Sequence, residues 1–263
     1  MSEQLRFADP GEAADLAAFL GRLVHYDRAA AVRLQAGGGA LAVFGRPPSF
    51  EVLAVRSVRL AAPLSAPLDL TVSAGELLEY VDESSATASV PGPVTGPPWT
   101  GVLPPRGGWR QLDGLPGPEA VRAAVAAAVA EFRTRDAALP AQHRTRSERD
   151  RIGHEIWSRP LGDTELPMRA VHAAQALGFL RAVRVPVPAP ASVPAPASVS
   201  APVTASGSGP APGPATAARV PPPAPVALLA AGNWLRLRTP YGSVALRRPG
   251  GAGGLGGLQV RPL

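Results

Sequence analysis

The chain has 263 residues, of which Pro 32 and Gly 28 together take nearly a quarter, so a large part of it cannot be folded core. All 26 basic residues are Arg and Cys is 0, which excludes phosphate-binding and Schiff-base lysines, thiolate nucleophiles, disulfides and thiolate metal centres. The net charge of +6 is uneven, because residues 1–165 set 17 Arg against all 20 acids while residues 166–263 hold 9 Arg and no acid.

The first predicted element is a helix. Asp9 is a capping residue, Pro10 suits the first helical position, and Glu12 completes a capping-box pattern. Leu16, Phe19, Leu20 and Leu23 then recur at helical spacing and predict one buried stripe. Period 2 follows in Ala30, Val32 and Leu34, Gly37-Gly38-Gly39 supplies a turn, and Leu41 and Val43 resume the alternation, which predicts a hairpin. The Val- and Leu-rich run from Phe50 to Leu60 predicts a third strand and Leu68 to Val72 a fourth. Ser73 with Glu76 opens a short helix. Connections at 37–39 and 45–49 are too short for crossovers, so the pairing is antiparallel. Residues 1–82 are therefore expected to form an α+β domain with a four-stranded antiparallel sheet and flanking helices.

Residues 83–116 lose periodicity and read as a Pro/Gly-rich loop, with Trp99 and Trp109 as the side chains that pin it to the body. Residues 117–183 predict a three-helix segment packed on the sheet domain. Its first helix starts at Pro118 with the stripe Val121, Val125, Val129 and Phe132, its second covers Arg144 to Arg159, and its third runs from about Pro167 to Arg181 with Met168, Val171, Ala174 and Leu177 inward. The second helix neutralises itself through Arg144 with Glu148, Arg146 with Asp150 and Arg151 with Glu155, so it reads as a solvated face. In 184–226 the hexapeptide Pro-Ala-Pro-Ala-Ser-Val occurs twice in tandem, at 188–193 and 194–199, and predicts a disordered Pro/Ala linker. Residues 227–248 predict a β-hairpin and 249–263 a flexible Gly-rich tail. A turn at Thr239-Pro240-Tyr241-Gly242 pairs Arg238 with Ser243 and, counting outward, Trp234 with Arg247. Leu235, Leu237, Val244 and Leu246 then share one face, and Trp234, Arg236, Arg238 and Arg247 the other.

Few of these patterns carry chemistry. The histidines His25, His143, His154 and His172 have no i,i+4 partner among themselves, so no metal site is expected. Gly251, Gly253 and Gly256 match a dinucleotide fingerprint only in spacing, since no helix follows them. No cofactor is expected. Met1 to Phe7 hold Glu3 and no apolar run, so the expected setting is soluble and cytoplasmic. The Arg, Ala, Gly and Pro excess without Lys is what a high-GC bacterial genome writes. The first reading is a non-enzymatic protein-interaction or regulatory module with a protein partner. The second is a nucleic-acid-binding protein that holds phosphates with Arg236, Arg238 and Arg247 and stacks bases on Trp234. The third is an enzyme built from the dispersed His25, His154, Glu155, Asp163 and His172.

Overall fold

The computed structural model describes residues 3–182 and 226–248; the expected linker, apart from Val226, and the Gly-rich tail with its glycine fingerprint lie outside the described residues. The first half of the chain supplies β1 (Gln4–Arg6), α1 (Pro10–Tyr26), β2 (Ala31–Gly37), β3 (Ala40–Gly45), β4 (Leu53–Arg59), β5 (Leu68–Ser73), α2 (Ala74–Glu79), β6 (Val81–Asp82) and β7 (Thr87–Ser89). The second half supplies β8 (Arg110–Leu112), α3 (Pro118–Ala137), α4 (Arg146–Trp157), α5 (Met168–Ala176), β9 (Ala227–Ala231), β10 (Trp234–Thr239) and β11 (Gly242–Arg247). The mixed α+β class and the antiparallel pairing stand. The four-stranded sheet does not: the strands form an eight-stranded sheet in the order β5-β2-β3-β4-β11-β10-β9-β8, beside a three-stranded sheet β1-β7-β6.

The correction has a simple cause. The four expected strands are one half of the large sheet, and β4 would be an open edge if nothing followed it. The β10–β11 hairpin closes that edge, with Ser243, Val244 and Ala245 opposite Val55, Ala54 and Leu53. Its register is the one read from the turn, Trp234 opposite Arg247 through Arg238 opposite Ser243. The stretch 83–116, expected to be loop, holds β7 and β8, which at three residues each are too short to show a period.

Local sequence sets the element ends. Asp9 caps α1 by accepting from the Glu12 amide at 3.0 Å, but the Glu12 carboxylate turns to Arg56 and Arg59 rather than completing the box. Gly38 and Gly39 take positive φ of 61° and 81°, which is what a two-residue hairpin turn between β2 and β3 demands. The third strand starts at Leu53 rather than Phe50, because Ser49 and Glu51 sit in the left-handed region at φ 72° and 53°. Helix α4 begins after Thr145, whose hydroxyl accepts from the Glu148 amide. Arg144 consequently lies outside the helix, and it donates to the Leu139 and Ala137 carbonyls instead of pairing with Glu148. Helix α5 stops well short of Arg181. Gly178 at φ 75° follows its last turn, with the Phe179 amide on Ala174 and the Gly178 amide on Gln175, a Schellman ending.

One face of the large sheet carries the core. Leu34, Leu41, Val43, Val72, Leu235, Leu237, Val244 and Leu246 are buried there with Leu16, Phe19, Leu20 and Leu23 of α1 and Val171, Ala174 and Leu177 of α5. Helix α1 lies on β4 and α5 on β11, with α3 and α4 against α5. A buried ion cluster ties the layers: Arg56 of β4 reaches Glu12 at 2.9 Å and Asp15 at 3.2 Å on α1, and donates to the Tyr241 carbonyl of the hairpin turn at 2.8 Å.

Candidate functional site

Strand alternation sends the hairpin's other side chains to the face opposite the core. By register Arg236 shares that face with Ala245 and Leu53, and Arg238 with Ser243, Val55 and Phe44. The Pro-rich segment 98–109 crosses it as a strap. Trp99, Leu103 and Trp109 pack on a small cluster of Leu53, Trp234 and Ala245, so that Trp234 is only 8 % exposed. The Trp109 indole donates to the Pro105 carbonyl at 2.9 Å, which closes the strap on itself.

The arginines Arg236 and Arg247 of the hairpin lie against tryptophan rings, and although Glu51 lines the same hollow as Arg46 and Arg247 it forms no ion pair with either. The Arg236 guanidinium lies 5.6 Å from the Trp109 ring and its Nε donates to Ser243 Oγ at 2.8 Å. Burial, together with the charge of Arg238 two residues along the strand, pushes Arg236 below its ordinary pKa. The Nε of Arg238 is buried with no hydrogen-bond acceptor. Arg247 is exposed and lies 5.0 Å over the Trp234 ring. Among the described residues none of these three, nor Arg46 or Arg106 nearby, has a carboxylate partner. Between the strap and the strands runs a groove of about 390 Å³, lined by Gln35, Phe44, Val55, Ser57, Arg106 and Arg236. A half-buried guanidinium without a counter-charge is costly, and an anion that supplied the charge would remove the cost.

The helical layer has the opposite character. Arg151 pairs with Glu148 and Glu155, Arg149 with Asp136, Arg146 with Asp150, and Arg159 with Glu131 at 2.6 Å. Arg135 bridges Glu131 and Glu155. Hydrogen bonds from Arg159 and Arg135 hold the Glu131 and Glu155 carboxyls below their ordinary range, which keeps both ionised and unfit as general acids near neutral pH.

Of the five residues the enzyme reading needs, the structure brings two together. His154 and His172 line a cleft of about 600 Å³ beside α4. His25, Glu155 and Asp163 lie outside it and are exposed. His172 stacks on Trp157 with ring centroids 4.3 Å apart, and burial lowers its pKa. The alternation that places Arg247 also places Ser243 on this face, whereas Arg106 lies in no period, and the two tryptophans of the strap are its only signal.

Fold and site together define a mixed α+β protein whose sheet carries a strapped basic face. The chain belongs to the family described as Domain of unknown function (DUF8185), whose model matches residues 104–251, more than half of its length. Residues 1–101 match the model of Domain of unknown function (DUF8010). The two matched segments meet inside the strap, and each contributes four strands to the large sheet, β2 to β5 and β8 to β11. No curated protein and no solved structure matches the chain. No helix among the described residues is long and apolar enough to cross a membrane.

Proposed function

We propose that this chain is a non-enzymatic binding module of the cytoplasm that captures an acidic segment of a partner protein on the strapped face of its sheet. The observation that carries the reading is the contrast between the helical layer, where most arginines are answered by acids and the exceptions Arg133 and Arg144 are exposed, and the hairpin face, where Arg236, Arg238 and Arg247 have none and the first two are half-buried. A groove lined by Gln35, Ser57, Arg106 and Arg236 suits an extended acidic peptide, whose carboxylates would take the guanidinium forks that have no internal partner. A protein partner is preferred to nucleic acid because base stacking needs an open aromatic face, and Trp234 is covered by Trp99, Leu103 and Trp109.

The test compares the intact chain with the Arg236→Gln, Arg238→Gln double variant. The ligands are a fluorescein-labelled Glu-rich peptide and a single-stranded oligonucleotide of equal charge. The peptide is expected to bind the native chain and to lose at least about tenfold in affinity with the variant. Binding of the oligonucleotide with a steep salt dependence, and no binding of the peptide, would move the function to nucleic acid. Failure of both ligands would sink the anion-binding reading.

A further inference from the structure

The 600 Å³ cleft beside α4 lies apart from the basic face and is built differently. Its walls are aromatic: Phe132 and Trp157 have ring centroids 6.0 Å apart, His172 stacks on Trp157, and Phe50 meets His172 edge-on at 5.2 Å. Phe50 is held there by the left-handed Ser49 and Glu51 on either side of it, a conformation that costs a non-glycine residue energy and persists only where the surroundings impose it.

Two further features point to an occupant. Gly153 lines the cleft from the middle of α4, where glycine weakens a helix relative to alanine. Packing does not require it. A Cβ at 153 would meet Trp157 Cδ1 at 3.4 Å and Phe132 Cε2 at 3.7 Å, which are ordinary contacts, at φ outside the left-handed region. What the missing side chain leaves open is the space against the two rings. The second feature is Arg169, which also lines the cleft. Its Nε is buried without a hydrogen-bond acceptor, and the exposed Glu51 carboxylate pairs with it only at 3.5 Å.

We propose that this cleft is a second binding site, for a planar aromatic acid whose ring lies over Gly153 against the edges of the aromatic walls and whose carboxylate accepts from Arg169. The ring supplies flat apolar area to Trp157 and Phe132, and the carboxylate takes over from the long Glu51 ion pair and supplies the hydrogen bond that this pair does not make. Arg169 also lines a hollow beside Trp234 and Arg247, but Arg236 and Arg238 take no part in the cleft, so a variant of those two separates this site from the acidic-peptide reading.

Calorimetric titration of the intact chain with 2-naphthoate tests it, with 2-naphthamide and cyclohexanecarboxylate as the arms lacking charge and aromaticity. Saturable binding of 2-naphthoate is expected, with each arm weaker by about tenfold or more. Gly153→Leu should fill the cleft and abolish the heat of binding while the helix gains intrinsic propensity. Arg169→Gln should reduce 2-naphthoate to the affinity of 2-naphthamide, and the Arg236→Gln, Arg238→Gln variant should bind as the native chain does. Two results would overturn the proposal: no saturable binding by the native chain, or unchanged binding by Gly153→Leu shown to be folded by circular dichroism. Equal affinity for acid and amide in the native chain would remove the role of Arg169 and with it the ligand class.

Discussion

Replacing Arg56 by methionine isolates the contact that fastens the hairpin turn to the first helix. Arg56 is 6 % exposed on the core face of β4, and it makes three polar contacts, to Glu12, to Asp15 and to the Tyr241 carbonyl. Breaking a buried pair by removing one partner costs roughly 3–5 kcal/mol when the other charge is left alone. Here neither acid is left alone, since Glu12 keeps Arg59 at 2.8 Å and Asp15 keeps Arg181. The expected loss is therefore about 2 kcal/mol, the worth of charge-assisted hydrogen bonds whose acids keep other partners. For a folded body of this size that lowers Tm by about 4–8 °C. Urea denaturation followed by circular dichroism measures it, and the Arg56→Met, Arg59→Met double variant should exceed the sum of the singles, because Glu12 then loses both partners. A single variant as stable as the native chain would refute the reasoning, leaving apolar packing alone to dock the hairpin.

Gly242→Ala should destabilise by about 1–3 kcal/mol, because a Cβ there would stand 2.6 Å from the Phe179 ring; a neutral result in thermal melts would mean the ring moves freely. Burial lowers the His172 pKa, so between that value and the unfolded value of about 6.5 the unfolded chain binds the extra proton, and stability should fall as pH drops below about 6.5. His172→Gln should flatten that slope in urea titrations. Glu131, Glu155 and Glu165 have lowered pKa values through their arginine partners, so their contribution is full above the unfolded value of about 4.3 and is lost as pH falls through the lower folded values. Glu131→Gln with Glu155→Gln should shrink the loss of stability seen over that acid range. Arg238→Met should stabilise the free protein by about 1 kcal/mol, by removing a buried donor without an acceptor, and a lower urea midpoint would show that the donor is satisfied in solution.

The parts of this fold legible in the sequence are those written in a local code. The cap at Asp9, the glycine turn at 38–39 and the period-2 register of the C-terminal hairpin need only neighbouring residues, and all three are found. What the sequence hides is non-local. Nothing in Leu53 to Val55 announces that its partner lies nearly two hundred residues away at Ser243 to Ala245, because a buried strand looks alike whichever neighbour completes it. Helix length failed at α5 for a different reason: its apolar spacing continues past Gly178, and backbone geometry rather than pattern ended it. The site was half legible. Alternation placed Arg236 and Arg238 on one face, but the strap that covers Trp234 comes from a segment with no period to read.

The arginine excess is itself a compositional bias, and the fold separates what that bias supplies from what it does not explain. Past Glu165 the chain has no acid, so every later arginine must find a carboxylate from the earlier part or go without. Arg169, Arg181 and Arg248 find one, on Glu51, Asp15 and Glu165. Arg236, Arg238 and Arg247 do not, and these three share one face of one hairpin. Codon supply would scatter unpaired arginines over the surface, where water solvates them at little cost. It gives no reason to draw two of them half-buried onto one strand, with Arg236 beside Trp109 and lowered in pKa by that burial. Among the described residues the other late arginines are tied to distant acids while these three are left without one, and the acidic segment proposed above would be the counter-charge that completes the face.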